Sequence, residues 1–411
     1  MPGPLTICVP PPATETTLAW LAMALTPGLG PRRIQRAVRG LPEPAELFRM
    51  PLTALEALQI PVAAARFIAE GKARKAAEEE WQKIGDNGCA ILTLADEQYP
   101  ERLREIFDPP PVLWVRGNRE LLSRPAIAVV GTRAPSPYGT GMAEMLSRDL
   151  AARRMVILSG MARGVDTAAH KGALSAGGRT VAVWGTGVDV VYPKENKRLA
   201  EEIILSGGAI VSEQPMGTFP APQNFPLRNR ILSGMSVGVL VVEAGEQSGT
   251  RITARCALEQ NRDVYAVPGN VTSRNAWGPN TLIKQGARLT ATWEDIWEEL
   301  PTQIRLELEG GGGGRYGGQA DLFASSSASG EGVTASLLLQ GEAMLPPGPP
   351  LSPAESAVYG LLRMDQALHM EELLEQLDGQ VTSAEVFTAL FELELNNHIR
   401  QLPGKNYVRR M

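Results

Sequence analysis

The sequence predicts an α/β protein: a Rossmann-like, doubly wound domain preceded by a small helical domain and followed by a winged-helix-like domain. Three observations carry this. Short apolar runs alternate with helix-compatible stretches through 85–302, the pattern of a parallel sheet covered by helices on both faces. Each run ends in a turn of glycine and other small residues, where such sheets bind ligands. After residue 302 the composition breaks into glycine, serine and proline before a helical pattern resumes.

In chain order, 1–16 read as a flexible tail with too many prolines and no basic segment for a signal peptide, which suggests a cytoplasmic protein. Residues 17–84 read as a helical domain containing Leu25-Thr26-Pro27-Gly28-Leu29-Gly30-Pro31-Arg32-Arg33. A Gly-x-Gly turn between helices followed by arginines suggests a helix-hairpin-helix or SAM-like unit. A weaker copy lies at Leu58-Gln59-Ile60-Pro61, where proline removes a backbone donor. In 85–302, strands are predicted at 126–130, 155–159, 181–184, 209–212, 237–243 and 263–267, with 90–94 and 112–115 as possible additions to the sheet. Residues 303–350, with unbroken runs of glycine and serine, cannot bury enough apolar surface to fold and read as a linker. From 351 to 411, three short helices lead into a hairpin-like ending.

The net charge of -5 is unevenly spread. Residues 126–290 carry 18 Lys+Arg against 12 Asp+Glu, a net of +6, whereas 291–411 carry 7 against 18, a net of -11. A positive middle segment is what a polyanion site needs. The last module, 5 basic against 9 acidic, has the wrong sign for gripping phosphates and suggests protein contact or regulation. The 3 cysteines and 3 histidines are scattered, which argues against a disulfide framework or a metal site.

Four turns carry the candidate chemistry. The first strand runs into Gly131-Thr132-Arg133, without the G-x-G-x-x-G spacing of dinucleotide sites, so no redox cofactor is expected. The second runs into Ser159-Gly160-Met161-Ala162-Arg163-Gly164, a small-residue phosphate cradle ahead of Asp166, which is placed to cap the next helix. Asp166 and His170, four apart, suggest a helix-stabilising pair rather than a catalytic dyad. The run FPAPQNFPLRNR reads as a loop too rich in proline for an element. It sets Phe225 near Arg228, Asn229 and Arg230, an aromatic face beside guanidinium groups that suits a stacked base next to a phosphate. The alternative is that Phe225 plugs the core and the arginines pair with Glu213 or Glu243. The fourth turn, Ser248-Gly249-Thr250, opens a helix whose free N–H groups suit an anion. The set is rich in donors and poor in acids, and no nucleophile in it has an evident base.

The motifs VVGTRAPSPYG, LSGMARGVDTAAHKGAL, VAVWGTGVDVVYPKEN, IVSEQPMGTFPAPQNFPLRNRILSG, EAGEQSGTRITARCALEQNRDVYAVPGN and GPNTLIKQGA together resemble the DNA-processing protein A (DprA/Smf) family over about 126–290. The resemblance implies an extended Rossmann domain that binds single-stranded DNA without enzymatic activity, cofactor or metal. It also implies a homodimer that protects incoming DNA and helps load the RecA recombinase during natural transformation, with no membrane partner. Carried over by motif, Arg133, the turn from Ser159 to Gly164, Phe225, Arg228 and Gly249-Thr250 touch DNA. Gly131, Thr132, Asn229, Arg230 and Ser248 complete the candidate set. An alternative is the lonely-guy phosphoribohydrolases, whose Gly-Gly-x-Gly-Thr-x-x-Glu loop is matched here only at Gly249-Thr250. Glu246 and Gln247 replace the first glycines, and Thr253 stands where the catalytic glutamate belongs.

Overall fold

The computed structural model describes residues 13–246, 248–310, 352–363, 368–377, 381–395, 398–402 and 406–409. The chain divides into two compact units between Leu308 and Glu309.

The first unit is built on a nine-stranded sheet. Its strands are β1 Ala90–Thr93, β2 Val112–Gly117, β3 Ala126–Val130, β4 Val156–Ser159, β5 Thr180–Val183, β6 Ala209–Ser212, β7 Gly238–Val241, β8 Asp263–Ala266 and β9 Arg288–Leu289. Their spatial order is β1-β2-β6-β5-β4-β3-β7-β8-β9. Strands β6 to β9 in that order run parallel, and β1 and β2 add an antiparallel edge. The chain lays down β3 to β6 outward in one direction, then returns to place β7 and β8 on the other side of β3. The order thus reverses between β3 and β7, where doubly wound folds open a crevice at the carboxyl ends of their strands.

Strand alternation sorts the core. Ile127 and Val129 of β3 face the helices Pro137–Ala152 and Val165–Ser175, packing with Met142, Leu146 and Ala169. Ala126, Ala128 and Val130 face the helices Asn224–Met235 and Thr250–Glu259, packing with Ile231, Leu232 and Ala254. With both faces covered, the strands read as continuous apolar runs, which is why they were legible in sequence.

Three boundaries differ from the sequence expectation. The tail expected over 1–16 gives way to structure by Thr14, whose hydroxyl accepts from Thr17 N at 3.1 Å and opens the helix Glu15–Leu25; residues 1–12 lie outside the described residues. The N-terminal helices share one core with the sheet instead of standing apart: Trp20, Leu21 and Ile84 pack with Trp114, Trp184 and Ile210. Residues 303–309, expected to open the linker, are helical: Thr302–Glu309 buries Ile304 and Leu308 against the same face as Leu146; residues 311–350 lie outside the described residues.

Both N-terminal hairpins form. The first joins the helices Glu15–Leu25 and Pro31–Val38 through Gly28, at φ +77, and the second joins Leu52–Ala57 and Val62–Ala69. The arginines of the first turn are engaged within the chain: Arg33 Nη1 donates to Gly28 O at 2.9 Å, and Arg32 lies 3.9 Å over the Phe107 ring.

The second unit has helices Pro353–Leu361, Met370–Gln376 and Ser383–Leu395 and a small antiparallel sheet of β10 Leu368–His369, β11 Ile399–Leu402 and β12 Asn406–Arg409, in the order β10-β12-β11. Val358, Leu373, Leu390, Ile399 and Tyr407 form its own core. This is the winged-helix arrangement the sequence pattern predicts.

Beside this shared core, a buried carboxylate ties the N-terminal helices to the sheet. Glu80, 3 % exposed, accepts from Trp114 Nε1 at 3.0 Å and from Met216 N at 2.6 Å. Substituting Glu80→Ala leaves both donors buried and unpaired, a cost of about 1–3 kcal/mol for each. Urea denaturation is expected to show a clear loss of stability for Glu80→Ala and a smaller one for Glu80→Gln, which keeps an acceptor oxygen.

Candidate nucleic-acid interface

The crevice between β3 and β7 is closed at its base by Thr132 N, which donates to Glu243 O at 2.7 Å. Beyond it Arg133 is exposed, with its guanidinium 6.0 Å from the centre of the Phe225 ring and no carboxylate in ion-pair range among the described residues. Arg133 therefore faces the crevice rather than forming a surface ion pair.

The turn after β4 differs from the expected cradle. Ser159 is fully buried, and its hydroxyl donates to Val129 O at 2.7 Å, tying β4 to β3 instead of facing a ligand. Gly160 N and Ala162 N both donate to Asp166 Oδ2, at 3.1 and 3.2 Å. The donors are spent on the chain's own carboxylate. Gly164, at φ +78, bends the turn back so that Val165 N reaches Thr132 O, and Arg163 pairs with Glu195. Burial raises the Asp166 carboxyl above its ordinary range, with Arg228 and the two backbone donors pulling the other way. His170 forms no hydrogen bond to Asp166 among those described; its Nδ1 bonds Thr180 Oγ1 at 2.7 Å. Burial, reinforced by Arg228, lowers the imidazole to about 3.

The segment predicted as a proline-rich loop is a helix from its middle onward. Asn224–Met235 accommodates Pro226 because the first turn of a helix has no partner for that missing N–H. The helix presents Phe225 and Arg228 one turn apart. Arg228, 7 % exposed, donates from Nη1 to Val183 O at 2.5 Å and lies against Gly160, where a side chain would collide with the guanidinium. Its Nε is buried without a partner. Phe225 packs on Tyr192 at 5.5 Å between ring centres; Tyr192, 40 % exposed, is an aromatic outside the candidate set drawn from the sequence. Arg230 takes the ion-pair alternative, bonded to Glu213 and 3.1 Å from Asp108, and is absent from the crevice wall.

The fourth turn retains its helix-opening geometry. Ser248 Oγ accepts from Thr250 N at 3.2 Å, and Gly249 precedes the helix Thr250–Glu259. Thr253 is buried in the same wall, and Gln247 lies outside the described residues.

These loops bound a crevice of about 770 Å³ lined by Gly131, Thr132, Arg133, Ala162, Asp166, Tyr192, Phe225, Arg228, Asn229, Ser248, Gly249, Thr250 and Thr253. A hollow of about 50 Å³ adjoins it, lined by Gly160, Arg163 and Trp184 and sharing Arg133, Phe225 and Arg228. Of the predicted set, Ser159, Gly164 and Arg230 stay outside both. The site is less poor in acids than the sequence suggests. Asp166 lines it, and Glu243, 4 % exposed and outside the lining, accepts from Ser136 N at 2.8 Å and Ser136 Oγ at 2.6 Å in the neighbouring turn. Among the described residues no cluster of metal-ligating side chains occurs, and no helix is long and apolar enough to cross a membrane.

A family model for DNA recombination-mediator protein A matches residues 90–301, and one for the DprA winged helix domain matches 342–405. The chain belongs to the DprA/Smf family. Protein Smf of Escherichia coli strain K12 is 38% identical over 331 residues, covering 78% of this chain and 77% of that protein. DNA processing protein DprA of Bacillus subtilis is 43% identical over 217 residues, covering 53% and 73%. The X-ray structure of Streptococcus pneumoniae DprA aligns with a TM-score of 0.61 at 34% identity, covering 70% of this chain and 99% of that one. The family's sheet and winged helix are thus both accounted for in this chain.

The depressed imidazole has a thermodynamic consequence. His170 binds its proton near pH 6.5 when unfolded but only near 3 when folded, so stability falls as pH drops through that window. At pH 5 the contribution lost is about 2 kcal/mol. Chemical denaturation at pH 7 and pH 5 is expected to show a smaller acid-side loss for His170→Gln than for the wild type.

Proposed function

We propose that this protein binds single-stranded DNA along the crevice, without catalysing a reaction on it, and shields the strand before passing it to the RecA recombinase during natural transformation. The observation that carries this reading is the placement of Arg133 and Arg228 around Phe225 and Tyr192 in one crevice. Guanidinium groups meet backbone phosphates, and aromatic faces stack bases irrespective of sequence. The ring pair, open on one side, suits a splayed base better than a paired one. Membership of a family named for DNA recombination mediation supports the recombinase step and, with it, the reading of a cytoplasmic protein. Thr253 in place of a carboxylate weighs against the phosphoribohydrolase alternative, because nothing at that position stabilises positive charge on a ribose. The acidic winged unit suits protein contact, and two copies of the chain, each offering one crevice, give the strand a longer track.

Binding to a single-stranded oligonucleotide is expected to fall with salt at a log-log slope of about -0.7 for each phosphate neutralised. Arg133→Ala removes one such contact, so the slope becomes shallower by about 0.7. Affinity at low salt drops about tenfold, the worth of one charge-assisted hydrogen bond. A salt series by fluorescence anisotropy checks both. Unchanged slope and affinity would remove Arg133 from the contact set, and equal affinity for duplex would sink the single-strand reading.

A further inference from the structure

Two buried carboxylates occupy the positions at which a doubly wound fold ordinarily holds a nucleotide's phosphate. After β3, the helix Pro137–Ala152 opens at Ser136, and the ligand taking Ser136 N and Ser136 Oγ is Glu243, at 2.8 and 2.6 Å, with Asn275 Nδ2 at 3.3 Å. After β4, the donors Gly160 N and Ala162 N converge on Asp166 Oδ2. Both carboxylates are at least nine-tenths buried; Glu243 comes from a segment 107 residues from the Ser136 donors it takes, whereas Asp166 follows its own donors by four and six residues. The sheet reversal focuses these donors on the crevice mouth, where a terminal phosphate would otherwise bind. Besides the helix-opening turn Ser248-Gly249-Thr250, the crevice keeps side-chain charge for a ligand: exposed Arg133, and buried Arg228 with its unpartnered Nε.

We infer that Asp166 and Glu243 are specificity-determining residues which exclude phosphate monoesters, so that the crevice accepts the interior phosphodiesters of a strand and rejects free nucleotides and phosphorylated ends. This rests on the strand-binding reading above. A phosphodiester carries one negative charge, which a single arginine can meet, whereas a monoester carries nearly two and gains more from a cradle of converging N–H groups. Here these two cradles are filled, and a dianion brought to the crevice wall meets the Asp166 carboxylate. Like charges juxtaposed in a site of this kind discriminate strongly between ligands.

The test uses the full chain and two probes, deoxyadenosine 5′-monophosphate and a fluorescent oligothymidylate with or without a 5′-phosphate. Wild type is expected to bind the two oligonucleotides alike and to bind the monophosphate immeasurably by calorimetry. Asp166→Asn and Glu243→Gln, which remove charge at constant shape, are each expected to raise monophosphate affinity about tenfold and to create a preference for the phosphorylated oligonucleotide. Asp166→Ala, which also frees Gly160 N and Ala162 N, goes further in the same direction. Tight monophosphate binding by wild type overturns the inference, as does absence of gain in variants whose circular dichroism matches wild type. Should a variant not fold, the wild-type comparison of phosphorylated and unphosphorylated strands still decides. Failure of wild type to bind either strand refutes the DNA reading, while the calorimetric arm continues to read the carboxylates alone.

Discussion

The site depends on a guanidinium buried where the sheet ends. A charge taken out of water is costly unless carbonyl or carboxylate groups receive it. Arg228 meets that condition through Val183 O and the field of Asp166, and it fits only because Gly160 has no side chain in its path. The contact joins the carboxyl ends of β4 and β5 to the helix Asn224–Met235, and so fixes that helix over the crevice. Phe225, one turn earlier, is thereby set on Tyr192 and within reach of Arg133. Stability of the joint and placement of the aromatic face are one event.

Asp166 and Glu243 extend the same logic to the loops. Each ties a glycine-rich turn to a neighbouring segment by hydrogen bonds to a charged acceptor, which are stronger than neutral ones. Turns that would otherwise need a ligand to satisfy their donors are ordered beforehand. A preorganised crevice loses less freedom on binding, which suits a ligand as flexible as a single strand.

What the sequence revealed and what it hid follow from the physics of each element. The strands were legible because helices cover both faces and leave only apolar residues between turns, whereas β9 escaped notice because its two residues are exposed. The helix Asn224–Met235 was obscured by prolines lying before it and in its first turn, where they are tolerated. Residue type marks the chemistry at a strand end but not the direction a side chain takes. Ser159 turned inward to a carbonyl and Arg230 to Glu213, although both stand in the right turns. The roles of Glu243 and Glu80 were hidden for a related reason, since they accept from backbone N–H groups and side chains up to 136 positions away in the chain, whereas Asp166 takes donors from its own turn. Local patterns cannot register such pairings.

The positive charge of the middle segment takes on a narrower meaning in three dimensions. Much of it is spent on neighbouring acids: Arg148 on Asp149, Arg198 on Glu202, Arg255 on Glu259 and Arg288 on Asp263 and Glu299. Pairs of this kind, mostly exposed, contribute little to stability and present little net field to a ligand. Arg133, with no such neighbour, contributes a charge that none of these acids cancels, and it stands at the point where the sheet order reverses. Net charge is thus a poor guide to the crevice, where the exposed Arg133 is unpaired among the described residues while Arg228 is held by Val183 O and the field of Asp166.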